Sequence, residues 1–263
     1  MKTVAKVMKY ELRDVIRSRW LIAYTGFFLV VTDGLLRFTG DSANGILSLL
    51  NIVLIIIPLV NVVFGTMHVY NAREFMELLL AQPVRRRQLF GGLYLGLALP
   101  LSLGFVAGVG IPFLLHGVDD SAQRSTLALL LATGVVLTFC FTGLAFWLAL
   151  RIEDRAKGLA AAIGIWLLMT VLYDGLVLVI GTMFADHSLE KPLLVLMVLD
   201  PVDLARVLML LRLDVSALMG YTGATFKTFF GSVAGALLAF GALLLWATAP
   251  TLAALHRFRR KDF

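Results

Sequence analysis

The sequence predicts an all-α protein that crosses a membrane six times, as a single domain over residues 1–263. Of its 263 residues, 60% are hydrophobic and only 15% are charged, whereas a soluble domain carries about 25% charged residues. Six apolar stretches are each long enough to cross a hydrocarbon core about 30 Å thick. They run approximately from Trp20 to Phe38, Ile46 to His68, Phe90 to Leu115, Leu127 to Leu150, Leu159 to Phe184 and Ser232 to Leu255.

Residues 1–19 are predicted to form an amphipathic helix before the first crossing. Cations recur at every third or fourth position, so they share one face of a helix and leave an apolar face elsewhere. They are Lys2, Lys6, Lys9, Arg13 and Arg17. This pattern is typical of a helix that lies among the lipid headgroups, although the same cations also suit a plain topology signal.

The distribution of basic residues predicts the orientation of the chain. Six crossings place both termini on the same side as the loops that follow the second and fourth crossings. These segments hold 17 of the 23 Lys and Arg residues, and cytoplasmic segments of membrane proteins are enriched in both. We therefore expect a multi-pass protein of the inner (cytoplasmic) membrane with both termini in the cytoplasm.

Four polar residues inside the crossings are candidates for function, because polar and ionisable groups are costly within a bilayer. Asp174, in the fifth crossing, either lines a substrate path or accepts hydrogen bonds from a neighbouring helix. Asp33 has Arg37 four residues further on, a spacing that favours an ion pair. Asn51 and Asn61 flank a proline in the second crossing and predict either interhelical hydrogen bonds or a kinked pore wall.

The loop of residues 69–89, after the second crossing, carries the strongest functional pattern. The segment from Arg73 to Ala81 is rich in helix-forming residues and stops before Pro83. Its apolar residues exceed what an exposed loop needs, which predicts a docking site for another protein or, alternatively, contact with the membrane interface. The candidate docking residues are Arg73, Glu74, Phe75, Glu77, Leu78, Leu79, Gln82 and Pro83.

The long segment 185–231 predicts a helical hairpin that caps the outer leaflet. Asp200 and Pro201 form a good helix start, with a carboxylate at the N-cap and a proline at the first helical position. Asp203 then lies in the favourable first turn. Charged residues, Arg206 among them, interrupt the segment too often for a further crossing. The sequence leaves open whether this hairpin takes part in transport or is a structural lid.

The amphipathic start, the six crossings and the motif from Arg73-Glu74 to Gln82-Pro83 resemble the permease subunits of ABC-2 type transporters. The run from Leu199 to Arg206 is also similar to the outer-loop motif of the NosY-like permeases of nitrous oxide reductase maturation. In that motif Asn usually precedes the proline, where this chain has Asp200. The resemblance covers essentially the whole chain.

This resemblance implies a function for both connecting segments. The helix in the 69–89 loop would be a coupling helix, which docks on a separate ATPase. The 185–231 hairpin would contain re-entrant helices that close an external gate, with Asp200, Pro201, Asp203 and Arg206 as the gate residues.

The sequence lacks the motifs of several other functional classes. It has no Gly-rich loop ending in Gly-Lys-Ser or Gly-Lys-Thr, so ATP and magnesium are expected on the partner ATPase. It has no His-Glu-x-x-His pair, and its one cysteine, Cys140, lies in an apolar run. We expect this chain to bind no cofactor or metal of its own, and we expect no nucleic-acid partner.

The leading interpretation is a non-catalytic permease that forms a homodimer around a central path and binds two copies of a cytoplasmic ATPase. Closure of the ATPases would alternate access across the membrane and move a sulfur or copper species for nitrous oxide reductase maturation. The alternative is a scaffold that moves no solute and links the ATPase to an extracytoplasmic accessory protein, such as a periplasmic β-helix protein. An intramembrane enzyme would need a second polar group facing Asp174, and the sequence nominates none.

Overall fold

The computed structural model of the chain describes residue 15 and residues 18–39, 42–81, 83–117, 121–183, 195–212 and 233–261. Within them the regular structure is helical, as predicted. The helices are α1 (Arg19–Thr39), α2 (Ser42–Asn71), α3 (Arg73–Leu80), α4 (Arg86–His116), α5 (Ser121–Arg151), α6 (Arg155–Leu167), α7 (Tyr173–Met183), α8 (Pro201–Arg212) and α9 (Val233–Arg260). A π-helical turn, Leu168–Leu172, joins α6 to α7.

Six helical segments among the described residues are long and apolar enough to cross a membrane, which confirms the predicted number of crossings. They are Arg19–Thr39, Asn44–Asn71, Arg86–His116, Ser121–Arg151, Arg155–Ile180 and Leu237–Arg260. The fifth begins four residues before the predicted Leu159. The Asp154 carboxylate accepts a hydrogen bond from the Lys157 backbone N–H at 2.9 Å and starts the helix early.

Several predicted elements fall wholly or partly outside the described residues. Of the predicted interfacial helix over residues 1–19, the structure describes residues 15, 18 and 19. Of the predicted hairpin over residues 185–231, it describes residues 195–212, which include α8. Gln82, a candidate docking residue, also lies outside the described part of the chain.

The bundle is centred on α5, which packs against α2, α4 and α9. Aromatic rings fill the junction of α4, α5 and α9. Phe90 of α4 makes edge contacts with Phe146 of α5 and a tilted contact with Phe258 of α9, with ring centroids 5.7 and 5.6 Å apart. Such pairs stabilise beyond the area that they bury, so this cluster holds three crossings together at one end of the bundle.

Glycines allow α1 to lie directly against α4. A Cβ atom added at Gly108 would lie 2.8 Å from both the Phe28 Cβ and the Thr25 carbonyl oxygen, which is too close for a carbon atom. A Cβ at Gly104 would lie 2.5 Å from the Thr25 hydroxyl. The two glycines face α1 at a four-residue spacing, so they serve the packing of one chain on itself.

The fifth crossing is the one that the rest of the chain covers least. Of its most apolar window, 6% is buried, compared with 61% for the window in α4. The helix α8, by contrast, lies almost wholly inside the bundle, where it contacts α2, α5, α9 and the π-helical turn. Within the described part of the chain, a short buried helix therefore lies beside a crossing whose outer face is exposed.

Candidate functional site

One end of the bundle contains the C-termini of α2, α5 and α9 and the N-termini of α4 and α6. We call it the basic end, because arginines cluster there. The helix α3 lies at this end. Met76 on its inner face is 2% exposed and joins the hydrophobic core, with Phe75 and Leu79 half-buried beside it. The helix is thus seated on the bundle by its own apolar side chains.

The outer face of α3 carries Glu74, Glu77 and Leu78, which recur at the three- and four-residue spacing of one helix face. Leu78 is 69% exposed. Of the candidate docking residues, these three face outward together, and the exposed Pro83 follows just beyond the helix. Phe75 and Leu79 are turned towards the bundle because an eight-residue helix has to bury one face to be stable.

Arg73 differs from the other candidate docking residues, because its guanidinium is directed at the end of α5. Its Nη1 donates to the Glu153 carbonyl oxygen at 2.9 Å, and its side chain stacks on the Tyr70 ring at 4.5 Å. The sequence predicted Arg73 as a docking residue, and the structure places it between α3 and the turn that joins α5 to α6.

A charged cluster lies where α8 meets α7. Arg206 Nη1 donates to Asp174 Oδ2 at 2.6 Å and to Asp203 Oδ1 at 3.0 Å. The side chains of Arg206 and Asp174 keep 26% and 33% of their exposure, whereas Asp203 is buried. The structure therefore unites the membrane aspartate with two of the four candidate gate residues.

Asp200 forms the start of α8, which begins at Pro201 as the sequence pair predicts. Its carboxylate oxygens lie 3.4 Å from the backbone N–H groups of Val202 and Asp203, at N-cap geometry. Burial raises the pKa of Asp200 to about 7, and the two backbone hydrogen bonds oppose this rise. Burial and the neighbouring Asp174 carboxylate also raise the pKa of Asp203.

Two crossings hold the backbone that leads into α8. The Tyr173 hydroxyl of α7 donates to the Leu196 carbonyl oxygen at 2.5 Å. The Trp246 indole of α9 donates to the Val198 carbonyl oxygen at 3.0 Å. Because backbone groups in an apolar surrounding need partners, these side chains fix the depth at which α8 enters the bundle.

The remaining intramembrane candidates lie elsewhere. Asp33 forms the predicted ion pair with Arg37 at 2.7 Å, and His116 Nε2 of α4 lies 3.6 Å from its other oxygen. Asn61 is fully buried and accepts a hydrogen bond from the Thr142 hydroxyl of α5 at 3.4 Å, which supports the interhelical alternative for this residue. Asn51 is exposed on α2. These residues are not brought together with the charged cluster.

Sequence reasoning missed the partner of Asp174. Arg206 lies 32 positions away across a long connection, and no periodicity relates residues on separate elements. The only available signal was general, since an aspartate in a crossing requires a cation or hydrogen-bond donors.

Comparisons with known proteins agree with this architecture. The family model described as "ABC-2 family transporter protein" matches residues 5–263. The "Probable ABC transporter permease protein NosY" of Pseudomonas aeruginosa is 27% identical over 278 residues, covering 99% of each chain. The protein of the same name from Stutzerimonas stutzeri is 26% identical over 291 residues, again covering 99% of each. Since the family model matches nearly the whole length, this six-crossing chain belongs to the ABC-2 family of transporter proteins.

Proposed function

We propose that this chain is the non-catalytic membrane subunit of an ATP-driven transporter, and that a separate cytoplasmic ATPase docks on α3. The observation that carries the proposal is the outer face of α3, where Leu78 is 69% exposed beside Glu74 and Glu77. A seated helix with an exposed leucine between carboxylates suits a partner that offers an apolar pocket rimmed by cations. ATP and magnesium belong to that partner, because this sequence has no phosphate-binding loop.

Substitution of the exposed leucine tests the docking. Leu78→Asp puts an unpaired carboxylate into the proposed apolar contact, which costs about 2 kcal/mol or more. We expect the tagged variant to recover at least about tenfold less ATPase from detergent-solubilised membranes than the unmutated chain. Leu115→Asp, at an exposed leucine on the opposite end of the bundle, is the matched control. Equal recovery with both variants would contradict docking on α3.

A homodimer is the second part of the proposal, with the two fifth crossings facing each other. The support is the charged pair Asp174–Arg206, which keeps a quarter to a third of its exposure beside the least covered crossing. A charged pair facing hydrocarbon is costly. A second copy, with a water-containing path between the two, removes that cost and gives the transporter its central path. Two copies of the chain would dock two copies of the ATPase.

Disulfide crosslinking tests this interface in a chain whose own Cys140 is replaced by Ala. Leu172→Cys places a thiol on the exposed face of the fifth crossing, and Leu245→Cys places one on an exposed part of α9. Oxidation in native membranes is expected to link two copies through position 172 and not through position 245. The opposite pattern would contradict the proposed interface.

The basic end is proposed to face the cytoplasm, together with both termini. The support is the positive-inside distribution, since Arg85, Arg87, Arg151 and Arg155 lie exposed at this end. A membrane-impermeant maleimide is expected to label Ala156→Cys, an exposed position at the basic end, only in inverted vesicles. Leu115→Cys should be labelled only in right-side-out vesicles. Labelling in the reverse vesicles would invert the orientation.

The physiological task is proposed to be nitrous oxide reductase maturation, by movement of a sulfur or copper species. The support is similarity over 99% of the chain to two proteins named NosY, together with the outer motif around Asp200. Deletion of the chain should lower the copper content and activity of the reductase, and vesicles with the ATPase should take up labelled copper(I) or sulfide. Loss of maturation without flux of either would favour the scaffold, which acts on a periplasmic β-helix partner.

A further inference from the structure

Two arginines at the basic end stand at the unfavourable end of their own helices. Arg73 is the first residue of α3 and Arg86 is the first residue of α4. The N-terminus of a helix carries a partial positive charge, so a cation in the first turn destabilises it. Neither helix has a side-chain hydrogen bond at its N-cap. Both arginines thus lie where a cation is locally unfavourable, which indicates that they stabilise another part of the structure.

Arg73 serves the C-terminus of α5. Its Nη1 donates to the Glu153 carbonyl oxygen at 2.9 Å, and its Nη2 lies 3.3 Å from the carbonyl oxygens of Ala149 and Ile152. The Tyr70 ring supports the guanidinium from below, and its hydroxyl donates to the Ile152 carbonyl at 2.8 Å. The C-terminus of a helix carries a partial negative charge and unsatisfied carbonyl groups, so a cation is favourable there.

The last carbonyls of α5 depend on these side chains. The carbonyl of Leu148 is taken by the Ile152 N–H at 2.9 Å, within the chain's own turn. That of Ala149 accepts from Arg73, and that of Leu150 accepts from Lys261 Nζ at 3.3 Å. Two consecutive carbonyls are thus capped by cations from α3 and from the end of α9. Hydrogen bonds from charged donors are about twice as strong as neutral ones.

Arg86 binds carbonyl oxygens at the C-terminus of α9, as Arg73 does at the C-terminus of α5. Its Nη1 donates to the Arg259 carbonyl oxygen at 3.1 Å and to the Lys261 carbonyl oxygen at 2.5 Å. Lys261 Nζ also lies 3.6 Å from the Glu153 carboxylate, beyond the end of α5. Arg73, at the start of α3, is therefore bonded to the end of α5, and Arg86, at the start of α4, is bonded to the end of α9.

We propose that Arg73 and Arg86 are positioning residues that transmit movement of α3 to the ends of α5 and α9. The inference rests on the proposed docking of an ATPase on α3. Apolar contacts such as those of Met76 hold the helix without a preferred direction. The Arg73 fork and the Arg86 Nη1 instead bind particular carbonyl oxygens, which opposes sliding of the helix. A displacement of α3 is therefore transmitted to two crossings, α5 and α9. The exposed Arg85 and Arg87 have the same charge and lie on either side of Arg86.

Spin-label distances test the link in the full chain. Labels at Ala81→Cys, at the end of α3, and Ala156→Cys, at the start of α6, report their separation in lipid nanodiscs in a Cys140→Ala chain. We expect a narrow distance distribution in the unmutated chain, at least about twofold broadening with Arg73→Gln, and less broadening with Arg73→Lys, because lysine keeps the charge without the fork. Arg87→Gln is the control. A distribution for Arg73→Gln as narrow as that of the control overturns the proposal.

Tyr70→Phe is a gentler second variant, for the case in which Arg73→Gln does not fold. It keeps the ring beneath the guanidinium and removes only the hydroxyl bonds to the Ile152 and Asp154 carbonyls. We expect measurable broadening that is smaller than with Arg73→Lys. No broadening with Tyr70→Phe and Arg73→Lys together would also overturn the link.

Transmission is tested with the ATPase that co-purifies with the unmutated chain, identified by mass spectrometry and then produced in pure form. With vanadate-trapped nucleotide, the two labels of the unmutated chain should keep their separation. Arg73→Gln should retain the ATPase but change its label separation on trapping, and its permease-stimulated hydrolysis should fall about fivefold or more. Full stimulation with an unchanged separation overturns the inference and leaves the docking proposal standing. Failure of the unmutated chain to recover any ATPase overturns the docking proposal itself.

Discussion

Arg206 of α8 binds Asp174 of α7 at 2.6 Å, and the same nitrogen binds Asp203 one turn earlier in its own helix at 3.0 Å. A single guanidinium therefore links the buried helix α8 to the least covered crossing. Asp200, at the start of α8, adds a third carboxyl group nearby. The sequence predicts a membrane aspartate and an outer gate as separate features. Through Arg206, the structure joins them in one site.

Arg206→Gln is expected to destabilise the chain more than Asp174→Asn. Without Arg206, two carboxyl groups lose their cation at once, which costs about 2 kcal/mol after allowance for the partial exposure of the pair. Without the Asp174 charge, Arg206 still binds Asp203, so the expected loss is about 1 kcal/mol or less. Thermal unfolding in detergent micelles gives the order of the two midpoints. A lower midpoint for Asp174→Asn would contradict the shared guanidinium.

Asp200→Asn is expected to weaken the pH dependence of stability. The pKa of Asp200 is about 7 in the folded chain, against an ordinary value of 3.8, so the folded state binds the proton more tightly. The contribution of Asp200 to stability is therefore fully present below about pH 4 and is lost as the pH rises to about 7. Asn caps a helix as well as Asp does, but it does not titrate.

Unfolding midpoints between pH 5 and pH 8 measure this effect. The midpoint of the unmutated chain should fall across the range, and that of Asp200→Asn should fall less and lie higher at pH 8. At pH 8 the free energies of unfolding of the two chains should differ on the order of 4 kcal/mol. Part of the slope should remain, because the raised pKa of Asp203 acts in the same direction. Parallel profiles for the two chains would show that Asp200 does not titrate in this range.

Gly108→Ala and Gly110→Ala, two residues apart on α4, should differ in sign. A Cβ at position 108 collides with Phe28 and Thr25 of α1, whereas nothing lies within 4 Å of a Cβ at position 110. We expect a loss of about 1–3 kcal/mol for Gly108→Ala, and little change or a small gain for Gly110→Ala, because Ala favours helix. The two unfolding midpoints measured side by side are the check. Equal midpoints would show that α1 does not lie against α4 at this depth.

The six crossings could be predicted from the sequence because their signal is local. A run of about 20 apolar residues identifies a crossing without knowledge of its neighbours. The start of α8 was predictable for the same reason, since Asp200 and Pro201 are adjacent. The fifth crossing begins four residues before its predicted start, because its N-cap at Asp154 lies in a short charged connection that a hydropathy window excludes.

The contacts of the charged residues could not be predicted, because they join elements that are distant in the chain. Arg73 is separated from the Glu153 carbonyl by 80 positions, and Arg86 from the Lys261 carbonyl by 175. Carbonyl acceptors have no sequence signature at all, so no motif marks them. The one sequence signal is the presence of Arg73 and Arg86 at helix starts, where a cation is unfavourable.

Photo-crosslinking from position 78 tests the central claim, that a separate ATPase docks on the outer face of α3. A photoreactive amino acid at Leu78, irradiated in native membranes, should link the chain to an ATPase subunit that mass spectrometry identifies. The same amino acid at Leu115, which is also exposed but lies at the opposite end of the bundle, should give no ATPase adduct. An ATPase adduct from position 78 alone is the predicted result; no ATPase adduct from position 78, or equal adducts from both positions, would contradict the account.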